Sequence, residues 1–398
     1  MKGWRTCPLE EVVRFIDYRG RTPKKTESGM RLITAKNVKM GYLQIEPREF
    51  VDPDIYSEWM TRGIPKKEDV LFTTEAPLGN VAQLDTAEKV VFAQRIIVMQ
   101  PDREVLDPTF LKYLLLSGLM QKRIHEKGTG ATVKGIKSQL LKKIPIPFPA
   151  SLADQKRIVA ILDEAFEGID GAIANTEKNL ANARELFESY LNAIFTHKGD
   201  DWEDKKLGDI CENLDSKRVP ITKSKRTSGE IPYYGASGVV DYVAEYIFDE
   251  DLLLVSEDGA NLLARTYPIA FSISGKAWIN NHAHVLRFED MSLQKFIEYY
   301  LNSISLEPYV SGMAQPKLNQ RSLNSIPVPF APKADLEQIV ENIDSLFSET
   351  KRLEAIYQQK LAALHELKQS ILQKAFSGEL TAEAGDRAVE GAKEVVAA

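Results

Sequence analysis

Arginine, lysine, asparagine, glutamine, serine and threonine are the side chains that bond phosphate oxygens and base edges. This sequence gathers them in short loops between apolar runs. In the first 150 residues the candidate DNA contacts are Arg21, Thr22, Lys24 and Lys25 (loop Gly20–Lys25), Lys36 and Asn37 (Thr34–Asn37), Thr74 and Asn80 (Thr73–Asn80), Gln94 with Arg95, and Lys134. Further on they are Lys217 and Arg218 in a basic run, Tyr234 and Ser237 (Tyr234–Gly238), and Asn261 (Glu257–Asn261). Lys276, Asn280, Asn281 and His282 (Lys276–His284) and Gln315 with Lys317 (Gln315–Gln320) complete the set. The chemistry implied is binding: cations on phosphates, amides and guanidinium groups on base edges. Any solvated loop is polar, so one such loop taken singly is weak evidence.

Residues for a reaction are missing. Ser274-Gly275-Lys276-Ala277 lacks the leading glycine and the hydroxyl residue of a phosphate-binding loop. There is no Asn/Asp-Pro-Pro-Tyr/Phe tetrapeptide of an adenine methyltransferase, no GxSxG, no HExxH and no EF-hand loop. His282 and His284 alternate on a strand without partner ligands, and Asp249-Glu250-Asp251 reads as a solvated turn. Cys7 and Cys211 make neither a disulfide framework nor a zinc site. No catalytic residue, metal or cofactor is expected in this chain. The start, MKGWRTCPLEEVV, has no signal-peptide apolar stretch, and no run reaches eighteen apolar residues, so a cytoplasmic protein with no membrane partner is expected.

The net charge of −6 argues at first against a polyanion partner. Its distribution changes that. Residues 1–150 hold 25 Lys+Arg against 18 Asp+Glu, whereas residues 151–203 hold 5 against 11. The first segment is basic and the excess acid falls largely in stretches read below as helices. The overall acidity predicts that the isolated chain binds DNA weakly.

The elements that must position these loops come in two copies. LLKKIPIPFPASLADQKRIVAILDEAF (140–166) is echoed by SLNSIPVPFAPKADLEQIVENIDSLF (322–347). At an offset of 181, Asp163 matches Asp344, Phe166 matches Phe347 and Phe195 matches Phe376; at the starts of the halves, Trp4 and Leu9 match Trp202 and Leu207. From Val159 apolar residues recur every seventh position through Ile194, with a second column from Leu162 to Tyr190, which predicts a coiled-coil helix. The second copy is looser, with Glu354 and Lys368 on its seam. Prolines mark both starts, and Gly199 and Gly378 are plausible C-caps. Two such helices most simply pack antiparallel within the chain; a seam between two chains is the alternative.

The expected fold is α+β: two mixed α/β target-recognition domains and two long helices forming an intramolecular antiparallel coiled coil, a pseudo-two-fold tandem repeat. The boundaries read as domain 1–150, helix 151–199, domain 200–332, helix 333–380 and a flexible tail 381–398. Strands are expected at Arg31–Ile33, Val70–Phe72, Val90–Met99, Ile231–Tyr234, Asp241–Val243, Leu252–Val255, Ala270–Ile273 and His284–Phe288, with helices at Phe110–Ile124 and Leu293–Ser303.

The repeated Ile-Pro-[Ile/Val]-Pro-Phe joint, the Gln-Lys-Arg-Ile-Val and Glu-Gln-Ile-Val helix starts and the ending Ala375-Phe376-Ser377-Gly378-Glu379-Leu380 resemble the specificity subunit family of Type I restriction–modification enzymes. So do Tyr233–Gly238, Glu257–Asn261, Asn280–Leu286 and Gly312–Leu323, and in the first half Gly20–Pro23 and Thr34–Asn37. The resemblance covers nearly the whole chain. It implies a non-catalytic subunit whose two target-recognition domains each read half of a gapped double-stranded DNA site, with helix length setting the gap. It also implies two methyltransferase subunits, which bring S-adenosylmethionine for N6-adenine methylation, and restriction/translocase subunits for phage defence. Two alternatives stay open: service to a methyltransferase without restriction subunits, and a coiled-coil scaffold that binds protein partners rather than DNA.

Overall fold

A computed structural model describes residues 3–18, 23–130, 132–197, 199, 201–312 and 315–377. Chain contacts divide it into two units, one built from residues up to Glu177 together with those from Gln359 onward, the other from Lys178 to Gln358.

In the first unit the apolar runs Val70–Thr73 and Ile96–Pro101 are buried along nearly their whole length, as strands covered on both faces must be. They form the centre of an antiparallel sheet ordered Val13–Asp17, Ile96–Pro101, Val70–Thr73, Val81–Gln83. A second sheet runs Lys25–Thr26, Glu49–Val51, Met30–Ile33, Val91–Phe92, the last pair parallel. The second unit repeats the plan. Its antiparallel sheet is Glu212–Asn213, Ala283–Arg287, Leu252–Ser256, Ala270–Ile273. Its other sheet is Gly238–Val243, Ser228–Gly235, Lys276–Ile279, Phe248–Asp249, with a parallel pair at its centre, Tyr233 beside Trp278. Both units are mixed α/β.

Three expected elements are resolved differently. Val90–Met99 is two strands in two sheets, because Arg95 takes a left-handed φ of 78° that no continuous strand contains. Phe110–Ile124 is two helices, Pro108–Leu116 and Gly118–Lys127; Ser117, in extended backbone, ends one and caps the next through Met120 N. The Pro-rich joints are themselves strands: Pro145–Pro149 pairs with Trp4–Pro8, and Pro327–Phe330 with Glu203–Lys206. Each joint is one side of a two-stranded ribbon, where proline is tolerated.

The long helices span Leu152–Thr196 and Lys333–Ser377. They pack antiparallel: Asp170 meets Lys368 at 2.6 Å, Arg184 meets Glu354 at 2.7 Å, and the Phe187 and Phe347 rings lie 5.4 Å apart. The two charged seam positions are therefore paired across the seam. Each unit closes on an equivalent aromatic cluster. Phe110 stacks edge-on against Phe376 and tilts on Trp4 in the first; Phe296 meets both Phe195 and Trp202 edge-on in the second. Equivalent tyrosines anchor each helix, Tyr113 donating to Asp163 and Tyr299 to Asp344. In the first unit Gln155 is buried and pins the helix start: its Nε2 donates to Val105 O and Pro149 O, and its Oε1 accepts from Asp107 N. Gly378 and the tail 381–398 lie outside the described residues.

Candidate nucleic-acid interface

In the first unit three of the expected contacts come together. Thr74, Gln94 and Arg95 line an open hollow of about 260 Å³ with Glu75, Thr129 and Lys137. A loop closed by reciprocal Thr129 and Gly135 backbone hydrogen bonds of 2.8 and 2.9 Å borders it. Lys134 is exposed on this loop. Gln94 and Arg95 are exposed, Arg95 paired with Glu75 at 3.1 Å. Thr74 is buried and its hydroxyl donates to Arg95 O, so it shapes the turn.

Lys24 and Lys36 are exposed elsewhere on the unit, and Lys25 is tied to Glu49 at 2.7 Å. Arg21 and Thr22 lie outside the described residues. Asn37 is withdrawn from solvent, 1% exposed. Its Oδ1 accepts from Thr34 N and Oγ1, and its Nδ2 faces Gln44 O, Ile45 O and Pro47 O. With both ends consumed it staples its own loop. Asn80 donates to Val38 O at 2.8 Å, joining that loop to the turn after Thr73.

The second unit builds the same feature from different side chains. Ser311 and Lys317 exchange backbone hydrogen bonds of 2.9 and 2.8 Å beneath a loop carrying exposed Gln315. Beside it Asn281 and His282 are exposed, and His282 Nδ1 lies 2.9 Å from Asp258. Lys317 reaches Glu257 at 3.1 Å. Asn280 is 7% exposed; its Oδ1 accepts from His282 N, so it sets the turn that presents its two neighbours. Lys217 and Ser237 are exposed, Tyr234 packs on Phe271, and Lys276 sits over the Tyr246 ring. Asn261 closes its own turn through Thr266 and Tyr267.

Arg218 is the clearest departure. It donates to Glu257 Oε2 at 2.7 Å and to Ala283 O at 2.6 Å, and lies 3.4 Å from Asp215. His284, 1% exposed, sits within the same group, Nδ1 facing Asp215 at 2.6 Å and Nε2 facing Leu318 O at 2.7 Å. Burial pushes the Asp215 and Glu257 carboxyls up. Hydrogen bonds outweigh it, from His284 and Val285 N to Asp215 and from Arg218 and Lys317 to Glu257, and both end below the ordinary carboxylate range. Asp215, Glu257 and His284 bring their ligand atoms within 4.8 Å of one another. The oxygens a cation would need already accept from Arg218, His284 and Lys317, so the group works as a buried ion network beneath the loop. Both cysteines are free; burial raises the thiol pKa of Cys7 and pushes that of Cys211 up to about 12.

Reading the sequence for donors passed over Glu75, Asp258, Thr129 and Lys137. The acids carry no signal as DNA contacts, and only the fold sets them beside Arg95 and His282. No helix among the described residues is long and apolar enough to cross a membrane.

A family model for the Type I restriction modification DNA specificity domain matches residues 1–180 and again 199–362, in step with the repeat. The StySPI type I restriction enzyme specificity subunit of Salmonella potsdam is 22% identical over 425 residues, 96% of this chain and 90% of that one. A Haemophilus influenzae protein assigned as a type I restriction enzyme specificity subunit is 33% identical over 167 residues, and that match spans 42% of this chain and only 41% of the other. In fold, a chain of a solved type I R-M system superposes with a TM-score of 0.73 at 19% identity, over 94% of this chain and 98% of that one. The HsdS subunit from Thermoanaerobacter tengcongensis gives 0.54 at 22%, over 96% and 98%. This chain belongs to the Type I restriction modification DNA specificity family: it is the DNA-specificity subunit of such a system, a recognition subunit rather than a catalytic one.

Proposed function

We propose that each unit reads one half of a two-part DNA site and that the chain holds methyltransferase subunits over it. The observation that carries this is a repeated framework with divergent rims: equivalent strand junctions beside an equivalent hydrogen-bonded loop present Gln94 and Arg95 in one unit and Asn281 and His282 in the other. A framework that varies only its donors is suited to two different half-sites, since base edges differ in donor and acceptor pattern while phosphates do not. Lys24, Lys36, Lys134 and Lys217 are exposed and suited to phosphate. The methyl donor, S-adenosylmethionine, belongs to the methyltransferase partner; restriction/translocase subunits are further partners, and the assembly works on cytoplasmic DNA.

The test is methylation mapping by single-molecule sequencing in a host expressing this chain with its cognate methyltransferase subunit, against a host lacking the chain. A gapped N6-methyladenine motif that vanishes with the chain is expected. An unchanged methylome, with the methyltransferase subunit demonstrably active, overturns the reading in favour of a protein-binding scaffold.

A further inference from the structure

Backbone hydrogen bonds align the two rims residue by residue, without appeal to sequence similarity. In the first unit the chain passes from strand Val91–Phe92 to strand Ile96–Pro101 through Ala93-Gln94-Arg95. Ala93 N donates to Ile33 O at 2.9 Å, and Thr74 N to Arg95 O at 2.9 Å. In the second, Asn280-Asn281-His282 joins Lys276–Ile279 to Ala283–Arg287. Asn280 N donates to Tyr234 O at 3.0 Å, and Glu257 N to His282 O at 2.9 Å. Gln94 therefore corresponds to Asn281, and Arg95 to His282. Glu75 and Asp258 correspond as well, each making an isolated bridge to the neighbouring loop, at Gly135 and Lys317. Each carboxylate holds its neighbour's nitrogen-bearing side chain: Arg95 Nε at 3.1 Å, His282 Nδ1 at 2.9 Å.

The two held side chains are 45% and 51% exposed. An exposed ion pair is worth little in water, so a base edge can displace the carboxylate at small cost. The buried Arg218 pairs, with side chains 12% exposed or less, lack that freedom. The chemistry also differs between units. A guanidinium reaches guanine O6 and N7 together, an amide reaches adenine N6 and N7, and an imidazole makes a single hydrogen bond per nitrogen.

We infer that Gln94–Arg95 and Asn281–His282 are the equivalent base-reading pairs of the two units, and that Glu75 and Asp258 are positioning residues that hold the second member of each pair until a base takes it over. The inference rests on the DNA-reading role proposed above and adds which residues read which half.

The assembled complex with its methyltransferase subunits is titrated against a panel of duplexes carrying every single-base change in the mapped site. Arg95→Ala should cut discrimination roughly 5- to 150-fold at one position of one half-site and leave the other half untouched. His282→Ala should do so at a position in the opposite half. Glu75→Gln should blur the same position as Arg95→Ala while tightening binding to unrelated duplex, since it removes a negative charge; a merely structural residue would move neither. Co-purification with the methyltransferase subunit and an unchanged melting curve show that the variants fold. Wild-type discrimination in all three variants, or Arg95→Ala and His282→Ala acting on the same half, overturns the inference. A wild-type complex that shows no two-part preference overturns the DNA-reading role instead.

Discussion

Asp215 shows how little of a residue's role its type declares. It is an acid beneath a loop proposed to read DNA, yet it accepts from His284 and from Val285 N and neighbours Arg218. Removing one partner of a buried ion group leaves the others uncompensated, so Asp215→Asn should destabilise the second unit by on the order of 3 kcal/mol at neutral pH. The sign of its pH dependence follows from the depressed carboxyl. A group whose pKa is lower folded than unfolded contributes stability above its unfolded value, about 4, and loses it as pH falls through the folded value. The gap between wild type and Asp215→Asn should therefore hold from pH 7 to about 5 and narrow below about 4. Glu298, which burial pushes up, acts in the opposite sense in both proteins, so the difference between them is the clean readout. Amide exchange in Ala283–Arg287 measures it; a gap that widens in acid would contradict the assignment. The same lesson explains Asn37 and Arg218. Side-chain chemistry marked them as DNA donors, but whether a donor faces solvent or its own loop is decided by tertiary contacts no local pattern encodes.

At the scale of elements the long helices were the most legible part, because a heptad repeat is a local signal. Loss of that signal misled only where a single residue intervenes: Arg95 divides one apolar run between two sheets, and Ser117 divides one helical run in two. The Pro-rich joints were legible as boundaries but not as strands, since a proline-bearing ribbon depends on a partner some 140 residues away. The seam's charged positions can be ranked. Lys368 bonds Asp170 and covers the Phe166 ring at 4.8 Å, but Asp170 is 58% exposed, so Lys368→Ala should cost no more than about 1 kcal/mol. Phe166 is 5% exposed in the first unit's core and meets Tyr113 edge-on at 5.4 Å; Phe166→Ala should cost about 3–5 kcal/mol. Denaturant titrations of the two variants should rank them in that order. The reverse order would mean that charge rather than packing holds the seam.

On the scale of the molecule, each unit draws its core from both long helices. The first is completed by the end of the chain: Leu364, Ile371, Leu372, Ala375 and Phe376 are buried in its core alongside Phe110 and Phe148. The second draws its cover from Leu191, Phe195, Leu336, Val340 and Ile343. Repetition shows that two helices exist, and antiparallel packing implies that the second helix ends at the first domain; which side chains complete each core is a matter of long-range packing. Burying one large aliphatic or aromatic side chain contributes about 1.5–3 kcal/mol, so four of them approach the whole stability of a domain, about 5–15 kcal/mol. Truncation after Gln358 should therefore strip amide protection from Val70–Thr73 and Ile96–Pro101, near the start of the chain, while Leu252–Ser256 and Ala283–Arg287, far closer to the cut, stay protected. Phe376→Ala should reproduce the effect in milder form, about 3–5 kcal/mol, confined to the same strands. Equal loss in both units would show that they unfold as one cooperative body, and loss in the second unit alone would reverse the assignment of the helix ends.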